Sequence, residues 1–245
     1  MLFTIHHVAG SGGSIVSKVI SAATNSILIS EINPFAPIRN EKIQPFFDPT
    51  SLLWHLTYNS KEISLDNKLK YFLIQLDISI NHAQSLSKNL LIRDHTHSTY
   101  NFLQKDIYFN NKKVNSLFME SLKYFYEQRN SPTTFPRIIP ILSIRHPLDN
   151  FLSARKHNWL GTYCGLNKSV DNYCQALVNM QKYMIEMENA KIIRYEDLCM
   201  DMGNTLSNIF NEIHVVFNIP SLQVINNIKV TGQSGRKSEN IEIRN

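Results

Sequence analysis

The chain has 245 residues, 43% of them hydrophobic and 18% charged, and a net charge of +5 from 25 basic and 20 acidic side chains. That balance excludes a disordered polymer, and no run approaches the roughly 20 apolar residues that span a bilayer. The modest basic excess suits an anionic small ligand, a nucleic acid or an anionic surface equally, and selects none of them.

In chain order, residues 2–8 read as a strand through Leu2, Phe3, Ile5 and Val8, 9–13 form a glycine-serine turn, and 14–24 carry helical spacing through Ile15, Val16, Val19 and Ile20. "SILIS" at 26–30 closes the unit as a second strand, which predicts a parallel βαβ element. Residues 31–60 are rich in proline and aromatics and read as an irregular excursion. Leu65, Leu69, Phe72, Leu73, Leu76 and Ile80 recur at three and four, predicting a helix over 65–88. "NLLIRDH" at 89–95 is a strand ending in charge, and 114–129 is a further helix. "RIIPILSI" at 137–144 is a strand in which Pro140 argues against a fully bonded central position. Pro147 suits the first turn of a helix over 147–159. A helix near 169–187, a strand at 190–195, a helix at 205–217 and a polar tail complete the pattern.

Strands alternating with helices predict an α/β fold: three layers, a mostly parallel central sheet, a P-loop-like first strand–loop–helix, and substrate-covering insertions at 31–60 and 96–113 in one domain of residues 1–245. Ligands of such sheets sit at the carboxyl ends of the strands. The residues to watch are therefore His6 to Ser14, Ser30 and Glu31, Arg93 to His95, Arg145 and Tyr195. Cys164, Cys174 and Cys199 form no CxxC pair, so neither a zinc site nor a disulfide framework is expected. The opening residues read as strand rather than leader, and a cytoplasmic setting is the expectation.

The turn "AGSGGS" at 9–14 places Gly10, Gly12 and Gly13 where successive N–H groups can cradle an anion at a helix start, with Ser11 and Ser14 as hydroxyl donors. It is not a nucleoside triphosphatase loop, because no lysine lies within it and Lys18 arrives a turn into the helix. A close-packing glycine turn is the plain alternative. "RHPLDNFLS" at 145–153 offers a second anion clamp, with Arg145 at a strand end and Ser153 in the following helix. "RYEDL" at 194–198 and "GRK" at 235–237 add a tyrosine at a strand end and a basic glycine loop.

Together, and in this order, these segments resemble the sulfotransferases that use 3′-phosphoadenosine 5′-phosphosulfate (PAPS). That family has a 5′-phosphosulfate loop P-K-[ST]-G-[TG]-[TS], a 3′-phosphate motif R-x-P-x-D-x-x-x-S, a Y-E-D-L segment and a late basic loop. The resemblance spans nearly the whole chain. It implies that backbone N–H groups of Gly10, Ser11, Gly12, Gly13 and Ser14 hold the phosphosulfate, and that Arg145, Ser153, Arg236 and Lys237 hold the 3′-phosphate. Tyr195 would line the adenosine side or serve as a core tyrosine. The reaction implied is in-line sulfuryl transfer to a hydroxyl or amine, with no metal and no covalent intermediate.

For the base, His95 is favoured because it ends a strand, as the histidine of the family's K-T-H segment does, and because an imidazole suits proton transfer; Glu31 is the rival, since some family members use a carboxylate. Of His6 and His7, alternation turns one to the core and one to the site. The chain departs from the family where Gly10 replaces the loop lysine. Lys18, which shares a helix face with Ser14, is one substitute, unless it faces solvent; Arg93 is another. The acceptor is expected to be a small molecule or carbohydrate, with Phe46, Phe47, Trp54 and Tyr58 as possible walls. A nucleic-acid partner is not expected, since no basic–aromatic module appears. A degenerate nucleotide binder and a P-loop small-molecule kinase are the alternatives.

Overall fold

The computed structural model describes residues 1–8, 10–32, 65–94, 107–109, 112–114, 116–128, 137–156, 170–185, 190–228 and 230. Five strands form a parallel sheet: β1 (Leu2–His7), β2 (Ser26–Ile32), β3 (Asn89–Asp94), β6 (Ile138–Ile144) and β7 (Lys191–Arg194), in the order β2-β3-β1-β6-β7. A separate antiparallel pair, β4 (Ile107–Phe109) and β5 (Lys112–Val114), closes the stretch read as an insertion and takes in Val114, the expected start of the 114–129 helix.

The helices are α1 (Gly13–Ala23), α2 (Leu65–Ser85), α3 (Leu117–Gln128), α4 (Pro147–Lys156), α5 (Val170–Ile185), α6 (Tyr195–Met200), α7 (Met202–Glu212) and α8 (Leu222–Asn227). Strand alternation decides which of them each strand residue meets. Phe3, Ile5, Leu91, Ile139, Ile141 and Ile193 face one way and pack with Val16 and Ile20 of α1, Leu198 of α6, and Leu206 and Phe210 of α7. Leu2, Leu90 and Ile92 face the other way, against Phe72, Leu76 and Ile80 of α2 and Phe118 and Leu122 of α3. Leu142 continues that second face into a cluster with Phe151 of α4 and Tyr173 and Met180 of α5. Each fully buried aliphatic or aromatic side chain contributes about 1.5–3 kcal/mol, so both faces of the sheet are strongly specified. This is the expected three-layer α/β arrangement.

β6 is an interior strand that is not fully bonded at Pro140, as expected: pairing with β7 begins only at Ile141, leaving no β7 partner at the proline. Two further elements differ from expectation. β7 stops at Arg194, and Tyr195 opens α6 instead of ending the strand. The helix expected at 205–217 starts earlier, at Met202, where the Asp201 side chain accepts from Asn204 N–H, and it ends at Glu212. The Asp201 cap supplied the start signal, and His214 at φ 53 follows the end. β3 is described as far as Asp94; His95 lies outside the described residues, as do Phe46, Phe47, Trp54, Tyr58, Arg236 and Lys237.

Candidate anion-binding site

β1 delivers the chain to the loop at the carboxyl edge of the sheet. Gly10 and Gly12 take φ values of +85° and +81°, a region that L side chains rarely adopt. Gly12 caps α1 in that left-handed conformation, and its carbonyl accepts from the N–H groups of Ile15 and Val16. The N–H groups of Gly13 and Ser14 are left without intrahelical acceptors at the positive end of the helix. This left-handed-to-helical step has the form of the backbone concavities in which anions are held in other proteins.

Close packing on all sides requires the glycines. A Cβ on Gly12 would stand 2.2 Å from Cδ2 of Tyr195, and one on Gly13 would stand 2.3 Å from Cγ of His7. The rings of Tyr195 and His7 therefore pack directly against the loop backbone. The two serines part company. Ser11 is buried, and its hydroxyl donates to the Val8 carbonyl at 2.7 Å, so it braces the loop instead of facing a ligand. The Ser143 hydroxyl donates to the Ser11 carbonyl at 3.1 Å and adds a second brace from β6. Ser14 remains at the helix start, where its hydroxyl accepts from Arg93 Nη1 at 2.5 Å.

Alternation sorts the charged ends of β1 and β3. Arg93 shares the face of Leu91 and reaches α1, and it is 0% exposed. Asp94 shares the face of Ile92 and meets His6 Nδ1 at 3.1 Å, while His6 Nε2 pairs with the Thr4 hydroxyl at 3.0 Å. The His6 ring also packs edge-on against Phe118. His6 thus turns to the core and His7 to the loop, as alternation requires. Lys18 does not face solvent. It is 3% exposed, without a hydrogen-bond or ion-pair partner among the described residues, and burial holds its ammonium pKa below the ordinary lysine value.

The 145–153 segment reaches the same loop. Arg145 Nη1 donates to the Gly10 carbonyl at 3.2 Å, and its guanidinium lies 5.2 Å from the centroid of the Tyr195 ring. Ser153 approaches Gly10 from α4: its Cβ would be 3.3 Å from a Cβ there. Glu196 ties in the "YEDL" segment, accepting from the His146 N–H at 2.8 Å through Oε1. The loop, the β6–α4 junction and the start of α6 thus form one constellation holding Gly10, Gly12, Gly13, Ser14, Arg93, Arg145, Ser153 and Tyr195.

Sequence reasoning passed over Asn150. It lies three residues before Ser153 in α4, the spacing that puts two side chains on one helix face, and that was the available signal. Asn150 is 0% exposed, and neither Oδ1 nor Nδ2 has a partner among the described residues. A buried amide left this way costs about 1–3 kcal/mol for each unmet group. Glu31 belongs to β2, at its carboxyl end.

No family model matches the chain, and no curated protein matches it. Among solved structures, it is similar to a sulfotransferase domain of the Synechococcus PCC 7002 olefin synthase, with 14% identity, 93% of this chain and 76% of that one covered, and a TM-score of 0.47. It is similar to a sulfotransferase domain of the curacin biosynthetic pathway at 13% identity, covering 92% and 76%, with a TM-score of 0.45. It is also similar to a deoxyadenosine kinase of M. mycoides with bound dATP at 14% identity, covering 87% and 100%, with a TM-score of 0.40. At such identities and TM-scores these likenesses assign no activity to the chain. Among the described residues, no helix is long and apolar enough to cross a membrane.

Proposed function

We propose that the chain is a sulfotransferase that moves a sulfuryl group from PAPS to a hydroxyl or amine of a small-molecule or carbohydrate acceptor. The observation that carries this reading is the hydrogen bond from Arg145 to the Gly10 carbonyl. It joins the glycine loop to the "RHPLDNFLS" segment, which supports reading them as two neighbouring anion receptors at the carboxyl ends of β1 and β6. A nucleotide phosphorylated at both its 5′ and 3′ positions needs two such receptors, whereas ATP needs only one.

In this reading the N–H groups at the start of α1 take the 5′-phosphosulfate, and Arg145 and Ser153 take the 3′-phosphate with Arg236 and Lys237. Tyr195 flanks the nucleotide. Arg93 supplies the positive charge that a loop lysine would otherwise bring, since Gly10 has no side chain. A buried guanidinium anchored on Ser14 stabilises charge that grows on a leaving phosphate oxygen, and needs no reorganisation to do so. His95 removes the acceptor proton, with Glu31 as the rival base.

Calorimetric titration with 3′-phosphoadenosine 5′-phosphate, and with ADP and ATP as controls, tests the reading in the presence and absence of magnesium. Micromolar, metal-independent binding that is much tighter than ADP is expected. Equal affinity for ADP would remove the 3′-phosphate role of Arg145 and Ser153, and magnesium-dependent ATP binding would favour a kinase.

A further inference from the structure

We propose that Asn150 is a positioning residue that takes over the Gly10 carbonyl when Arg145 turns toward an anion. Arg145 Nη1 is spent on that carbonyl at 3.2 Å, and its guanidinium face rests over Tyr195. A two-pronged grip on a phosphate through the Nη1–Nη2 end of the guanidinium, the mode assigned to Arg145, takes Nη1 off the loop. The carbonyl of Gly10, which is half-buried, then loses its Arg145 donor and is open to another.

Asn150 is placed for that role. Its amide is fully buried, and both polar ends are unpartnered among the described residues. Oδ1 lies 2.9 Å from the point where a Cβ of Gly10 would stand. Only a glycine lets the amide come so close, and Gly10, at φ +85°, is also the residue around which the loop can turn. Once Arg145 leaves, Nδ2 donates to the Gly10 carbonyl and the loop keeps its place. The unmet Nδ2 of the ligand-free protein is a destabilisation that is relieved when ligand binds, so the exchange adds to affinity.

The ligand half of this idea rests on the proposed function; the stability half does not. The experiment measures the ligand-free melting temperature and calorimetric affinity for 3′-phosphoadenosine 5′-phosphate in Asn150→Leu, Asn150→Ala, Arg145→Ala and the double variants. Leucine matches asparagine in shape without its amide. In the wild-type background Asn150→Leu is expected to keep or raise the melting temperature and to weaken binding about tenfold, the equivalent of one net hydrogen bond. In the Arg145→Ala background the amide has already closed on Gly10, so the same substitution lowers the melting temperature. Comparing Asn150→Ala between backgrounds cancels any cavity cost. Equal effects in the two backgrounds, or failure of both single Asn150 variants to fold, would overturn the exchange. If wild-type protein does not bind the bisphosphate, the functional reading fails while the two melting comparisons still judge the exchange.

Discussion

Arg93 Nη1 donates to the Ser14 hydroxyl at 2.5 Å, linking the end of β3 to the first turn of α1. A fully buried cation therefore sits beside a phosphate-type loop that contains no lysine. Arg93→Leu is expected to lower kcat of the proposed sulfuryl transfer at least about a hundredfold. Arg93→Lys keeps the charge without the planar fork and should recover only part of it. Loss of bisphosphate affinity with kcat intact would instead make Arg93 a ground-state binder, separable by steady-state kinetics.

Lys18 offers a stability test. Burial lowers its folded-state pKa, so the charged form opposes folding. Below the folded pKa both states are protonated, and the penalty is present in full. As pH rises toward the unfolded value of 10.5, the folded state gives up its proton first and the penalty fades. The Lys18 contribution therefore improves with rising alkaline pH. Lys18→Met should raise the melting temperature at pH 7 by about 2–4 °C and flatten this alkaline rise, as read by calorimetric scans at several pH values.

Gly12 and Gly13 differ in why they resist a side chain. Gly12→Ala meets both a left-handed backbone and the Tyr195 ring, whereas Gly13→Ala meets only the His7 ring. The first should cost at least about 1–2 kcal/mol in urea unfolding from the backbone alone. Pairing Gly13→Ala with His7→Ala should restore part of the stability; pairing Gly12→Ala with Tyr195→Ala should restore less. Equal rescue would show that the backbone conformation is not the obstacle.

The His6–Asp94 pair holds β1 against β3 on the face away from α1. Asp94→Ala leaves a buried imidazole nitrogen without its acceptor and should cost about 3 kcal/mol. Chemical denaturation reads this directly. A loss below about 1 kcal/mol would mean that Thr4 and other contacts satisfy His6 alone.

The sequence by itself determined the alternation of strands and helices, the parallel sheet and the positions of the turns, because these rest on local periodicity and on glycine, proline and capping chemistry. It also picked out the loop at 9–14, Arg145 and Ser153 as groups that belong together, since their order along the chain carries a recognisable pattern. Only the tertiary structure decided the rest. Pro140 sits in an interior strand because β7 begins one residue later, a matter of strand lengths that no local signal encodes. Ser11 turns its hydroxyl inward, and Lys18 is buried where a solvent-facing head was one expectation. Arg93 reaches Ser14 across 79 residues of sequence, and Asn150 comes against Gly10 across 140. These are contacts between segments brought together by the crossovers of a parallel sheet. Their energetics depend on which polar groups lose water and which find partners, and that is settled only when the layers close.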